Sequence, residues 1–240
     1  MKVFGQSRKK LVSGKGFRKY LLYAIGEIIL VVIGILIAVS INNANETQKA
    51  AKKRTELATL VLQQMATDSL NLDVVITSQN NSKAGFYKVL RATAPEDPIV
   101  DCVRCPFMIL TNFNVANMDP KVRTLLERSV LLEDSISMRL LKIESDYKHY
   151  DNIFRLLEES IVDNLKVNIG YLRDTYPWFS QFISQQKCND ECQAYFQRSP
   201  DFRNRVAYME LLVFNAYGQE LLAFKRKLKE HMIALEKAIE

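Results

Sequence analysis

Three sets of residues in this 240-residue chain have the type and spacing to do chemistry. They are one acid, Glu27, inside an otherwise apolar run, the four cysteines Cys102, Cys105, Cys188 and Cys192, and the two histidines His149 and His231. An ionised carboxylate inside a bilayer costs about 2.5–3.5 kcal/mol on the insertion scale, so Glu27 calls for a compensating arrangement. Three remain open: it is protonated or reaches toward the interface beside Tyr23, it is polar glue between helices, or it relays a proton or ion. Steps of three and four from Glu27 meet Val31, Gly34 and Ala38. Glu27 therefore shares a face with the small pair Gly34 and Ala38, a spacing that suits close helix–helix contact.

The cysteines read as C-x2-C and C-x3-C. Four cysteines outside the apolar run and none within it suggest an oxidising compartment and two disulfides. Three pairings exist. Local bridges Cys102–Cys105 and Cys188–Cys192 are sterically possible. Crossed bridges would close a long loop and contribute about 4–5 kcal/mol in the chain-entropy model. The same spacing also fits a four-cysteine zinc site at Cys102, Cys105, Cys188 and Cys192, although export works against it. A thioredoxin-like redox pair lacks its strand–helix–strand context. His149 sits between Tyr147 and Tyr150 on a helical pattern, where a surface position is expected, and neither histidine has a carboxylate pattern of an acid–base or metal site. With no G-x-S-x-G, H-E-x-x-H, Walker or dinucleotide motif, the expectation is no catalytic residue, no cofactor, no metal and no enzyme.

The elements that carry these residues begin with Tyr20 to Ile41, twenty-two residues broken by the single charge of Glu27. At 1.5 Å per residue this is about 33 Å of helix, enough to cross a hydrocarbon core of about 30 Å. The run is too long for a cleavable signal peptide, so a retained anchor is expected. The net charge of +6 is distributed unevenly. Residues 1–19 hold seven basic side chains (Lys2, Arg8, Lys9, Lys10, Lys15, Arg18 and Lys19) and no acid, and residues 42–240 balance 26 against 26. That asymmetry places the N-terminus in the cytoplasm and the rest outside it. A neutral outer domain also argues against a nucleic-acid partner.

Beyond the span, apolar residues recur at helical spacing. One seam runs Leu140, Ile143, Tyr147, Tyr150, Phe154, Leu157, Ile161 and Leu165. A second runs from Phe202 through Val206, Met209, Val213, Tyr217, Leu221 and Phe224 to Ile239. Ser199-Pro200-Asp201 is a helix start, and Asp119-Pro120 reads the same way. The plan is all-α: a basic tail 1–19, a transmembrane helix 20–41, and an elongated antiparallel helical bundle over 42–240. Its helices are expected at about 45–92, 119–170, 176–193 and 199–239. Gly85 and the stretch 77–83 are candidate kinks, and the connection 93–118, with Pro95, Pro98 and Pro106, carries no start signal before Asp119. A connection of that length should be stapled, packed or functional.

The run Lys19-Tyr20-Leu21-Leu22-Tyr23-Ala24-Ile25-Gly26-Glu27-Ile28, continued by Val31 to Ala38 and Ile41-Asn42-Asn43, resembles the signature of a family of uncharacterised single-span membrane proteins of Gram-negative bacteria. Ser199 to Asn204 is similar to the start of that family's final helix. The chain departs from the pattern at Ala44, in place of tryptophan, and lacks a glycine near Ser129. The resemblance implies an inner-membrane protein in which Glu27 belongs to a recurring motif, and it implies no activity. Two function classes follow. One is a membrane-anchored periplasmic bundle that binds a partner or signal, or scaffolds a complex, with the lipid bilayer and a homo-oligomer or protein partner around it. The other is a single-span subunit of a proton- or ion-coupled complex that uses Glu27.

Overall fold

The computed structural model describes residues 15–91, 102–116, 118–127 and 134–239. Lys2, Arg8, Lys9, Lys10, Ser129 and residues 93–101 of the long connection lie outside them. The chain divides into two compact units, one up to Arg54 and one from Thr55. The described residues contain no strand, so the chain is all-α as its periodicity demanded.

The first helix, α1, is Lys15–Arg91. In the first unit it carries the apolar run, and every large apolar side chain from Tyr20 to Ile41 is exposed. The helix is long and apolar enough there to cross a membrane. In the second unit α1 buries Ala58, Val61, Met65, Leu72, Val75, Phe86 and Val89. That buried stripe runs on through 77–83 and past Gly85, and the helix does not break there. Packing of the stripe outweighs the poor helix propensity of the Ser and Asn residues between. Lys88 and Arg91 in the last turn suit the negative end of the helix dipole.

The remaining elements are α2 (Cys105–Thr111), α3 (Lys121–Glu127), α4 (Ser135–Thr175), α5 (Phe179–Gln185), α6 (Asp190–Arg198), α7 (Pro200–Glu210), a π-helical segment Leu211–Tyr217 and α8 (Gly218–Ile239). The start at Ser199 holds, since its hydroxyl accepts from the Phe202 N–H and Pro200 opens the helix. The middle region differs from expectation. Asp119 caps only the short α3, accepting from the Lys121 N–H at 3.0 Å, and the long helix starts at a second cap, Asp134, which accepts from the Ser137 N–H at 2.8 Å. Expected region 176–193 is likewise two short helices. The connection 93–118 contains a helix, α2, outside the four expected helical regions. Pro106 sits in its first turn, where no N–H is needed, and Phe107, Ile109 and Leu110 are buried.

Contacts within the second unit fix the directions of its long helices. Along α4, Asp146, Tyr147, Glu158 and Asn168 meet His231, Phe224, Tyr217 and Arg205 in turn. The numbers rise on one side and fall on the other, so α4 is antiparallel to the α7–α8 rod. Asp73 and Phe86 of α1 meet Lys225 and Phe214, so α1 is also antiparallel to that rod. Thus α1 and α4 run in the same direction, and the chain between them must return the length of the bundle. Ile109 lies against Gly85 and Asn114 bonds Ser78, which traces that return alongside α1.

The π segment has a cause in the seam itself. From Met209 the buried positions Val213, Tyr217 and Leu221 follow in three consecutive steps of four. Each step of four over-rotates an α-helix by about 40°, so three of them would carry the seam about 120° off its face. The wider π turn, in which the Gly218 N–H reaches Val213 O, takes up the surplus and keeps Tyr217 directed inward.

Candidate functional site

The sequence-selected residues fall in three separate places. Glu27 is exposed within the single chain, and a Cβ added at Gly34 would meet nothing within 4 Å. Among the described residues the face of Glu27, Gly34 and Ala38 therefore serves no contact. Of the open cysteine pairings, the structure shows the local ones: Cys102 with Cys105, Cα atoms 5.3 Å apart, and Cys188 with Cys192, 5.2 Å apart. A sulfur held in a disulfide offers no thiolate, so these cysteines do not form the four-cysteine zinc cage. Among the described residues no group of three or more His, Cys, Asp or Glu is placed to hold a metal.

The polar chemistry inside the second unit lies where residue spacing gave no motif. Asp68 of α1 is fully buried. Its carboxylate accepts from Gln64 Nε2 at 3.0 Å and from the Tyr147 hydroxyl at 2.8 Å, and the nearby backbone N–H of Asp119 also favours its charged form. Burial pushes its pKa up and the hydrogen bonds pull against that rise. Further along, the Tyr217 hydroxyl donates to Glu158 Oε1 at 2.6 Å and accepts from the Ala116 N–H at 2.7 Å. Burial also raises the pKa of Glu158, with the bond from Tyr217 opposing it. Through Tyr217 the second tyrosine–carboxylate pair holds the backbone N–H of Ala116, fastening the returning segment to the core. Beside them opens a cleft of about 110 Å³, with Met118, Tyr147, Phe154 and Phe224 among its walls and Arg123 and Asp151 paired at 3.5 Å among its lining.

Asp68 had a legible signal: the step between the apolar Met65 and Leu72, both on the buried stripe of α1, lands on it, an acid at an apolar position. Glu158 and Tyr217 are 59 residues apart, and their pairing has no local signature. His149 is exposed as expected, but His231 is buried and its Nε2 lies 2.7 Å from Asp146, a carboxylate 85 residues away in sequence. The adjoining cavity of about 130 Å³ is lined by Arg139, Lys142, Lys227, Glu230, His231 and Ala234, with no hydroxyl or thiol nucleophile among them.

At the far end, Arg205 links Asp201 at 2.8 Å and Asn168 at 3.0 Å and lies 3.8 Å over the Tyr171 ring. Tyr195 donates to the same Asp201. Trp178, Phe182, Phe196 and Phe202 close this end as an aromatic cluster to which the Cys188–Cys192 bridge is joined through α6.

Comparison with curated proteins and with solved structures finds no match. Residues 27–90 match a family described as "Family of unknown function (DUF6090)", so the likeness begins at Glu27 and covers α1 almost to its end, 64 of the 240 residues.

Proposed function

We propose that this chain is a non-enzymatic, single-pass membrane protein of the bacterial inner membrane, with its N-terminus in the cytoplasm and a periplasmic helical bundle that binds a partner or signal or scaffolds a complex. The observation that carries this reading is the apolar surface of α1. Sixteen large apolar side chains between Tyr20 and Ile41 are all exposed, which in water would be a severe hydrophobic cost and in a bilayer none. Seven basic residues before that run and a neutral chain after it support that orientation. The two disulfides suit an oxidising compartment. Nothing in either cavity unites a nucleophile, a base and an oxyanion site, which supports a binding or scaffolding role.

An alkaline carbonate wash of membranes followed by purification in mild detergent tests the proposal. The chain stays in the membrane pellet and purifies as a homo-oligomer or with a periplasmic protein. Release into the wash contradicts the anchor. A stoichiometric multispanning partner lost on Glu27→Gln replaces the scaffold with an energy-coupled role for Glu27.

A further inference from the structure

Between Thr59 and Ala84, thirteen residues of α1 are exposed and none of them is charged. At the 25% charged content of the whole chain, about three charges would be expected there. The three charged residues of the stretch engage the bundle: Asp68 is buried, Asp73 bonds Lys225, and Lys83 lies over the Phe214 ring. On the outer side, Leu60, Leu70 and Val74 are 46%, 67% and 70% exposed among threonine, asparagine, glutamine, serine and alanine. The exposed face of α4 has the ordinary character of a solvated helix, carrying Arg139, Lys142, Lys148, Arg155, Glu159 and Lys166.

We propose that this uncharged face of α1 pairs two copies of the chain, parallel and in register about a two-fold axis. The stretch is about 38 Å long at 1.5 Å per residue, and its occupant must be uncharged over that length, because a charged partner would lose hydration with no counter-charge to meet. Among the described long helices, α4 and α8 carry charge along their exposed faces, whereas α1 itself presents the matching surface. A patch that complements itself gives an isologous dimer. The outer positions Leu60, Thr67, Val74 and Asn81 form one seven-residue series, and Gln63, Leu70, Thr77 and Ala84 the other. That spacing follows from the buried stripe on the opposite side, but the composition does not. Branched Thr67 and Val74 in the first series with Leu70 in the second favour two strands, and Asn81 in that first series fixes register. The parallel direction rests on the anchoring proposed above, since both copies then leave one membrane on the same side.

Because all four native cysteines are paired, one introduced cysteine is the sole free thiol. Leu60→Cys and Asn81→Cys are placed singly in the full chain, and membranes are oxidised with copper phenanthroline. Each variant gives a disulfide-linked homodimer, at least tenfold above Glu159→Cys on α4. Two sites 21 residues apart can both self-pair only in a parallel, in-register dimer. Adding Leu70→Lys with Val74→Lys lowers the Asn81→Cys dimer at least tenfold and leaves the helical circular dichroism unchanged. Absence of the homodimer at either site, an adduct of another mass, equal cross-linking at Glu159→Cys, or a dimer indifferent to the two lysines overturns the proposal. Failure of the anchoring reading shows separately, as release of the chain by the carbonate wash.

Discussion

Asp68 and Glu158 are the residues on which the interior of the second unit is most finely balanced. Each is a carboxylate that accepts from a tyrosine hydroxyl, Asp68 fully buried and Glu158 half-buried, and each has its pKa raised by burial. Tyr147→Phe removes one donor from a fully buried carboxylate and should cost about 1–3 kcal/mol in urea unfolding. The same raised pKa values set a direction with pH. A folded-state pKa above the unfolded one gives stability that is present below the unfolded value and lost as pH rises through the folded value. These two groups therefore favour the folded state increasingly as pH falls from 7 toward their ordinary values of 3.8 and 4.5. In thermal melts, the stability of the native chain relative to Asp68→Asn should rise over that interval, and a flat or falling difference would contradict the assignment. Asp68 could be found from sequence because it interrupts an apolar stripe. Tyr217 could not, because an aromatic residue within a seam has no mark that distinguishes a hydrogen-bonding tyrosine from a packed one.

The elements show where hydrophobic periodicity carries information and where it stops. It located α1, α4 and the α7–α8 rod, whose seams are long, and the cap at Ser199 was readable because Ser, Pro and Asp act together there. It missed the helix start at Asp134 and the short α2, where seven residues give too few turns for a period to show. The steps of four around Val213 and Tyr217 were visible, yet their consequence is a π turn only because Tyr217 must keep facing Glu158 and Ala116. Gly218 is part of that fit, since an added Cβ would stand 3.1 Å from both Gln79 Oε1 and Val213 O. Alanine gains about 1 kcal/mol in helix propensity over glycine, and overpacking costs about 1–3 kcal/mol. The backbone oxygen cannot turn aside, so Gly218→Ala should destabilise the fold in urea titrations. The disulfides belong to this scale as well. Each closes a loop of only three or four residues, so the chain-entropy model gives roughly 2 kcal/mol apiece. Reductant should lower the urea midpoint modestly and leave the helices formed, and complete unfolding on reduction would show that the bridges hold more than local structure.

For the whole molecule, charge and apolar surface are segregated along the sequence. Seven basic residues precede a run of exposed apolar side chains, residues 42–240 balance their charges, and the net +6 is a property of the first nineteen residues together with Glu27. The all-α class and the membrane-length helix were legible because both depend on composition over many residues. The direction of α4 relative to α1 was not, because it depends on where a connection of low periodicity leads. Replacing the seven basic residues before Tyr20 with glutamine should weaken or invert the insertion, scored by the fraction of chain that a protease added outside spheroplasts can digest. The most direct measurement is thiol labelling of intact spheroplasts with a membrane-impermeant maleimide, using Ser7→Cys and Ala238→Cys in separate full-length chains. With the proposed topology, Ala238→Cys is labelled without lysis and Ser7→Cys only after it. Labelling of Ser7→Cys in intact spheroplasts, or protection of Ala238→Cys until lysis, would contradict it.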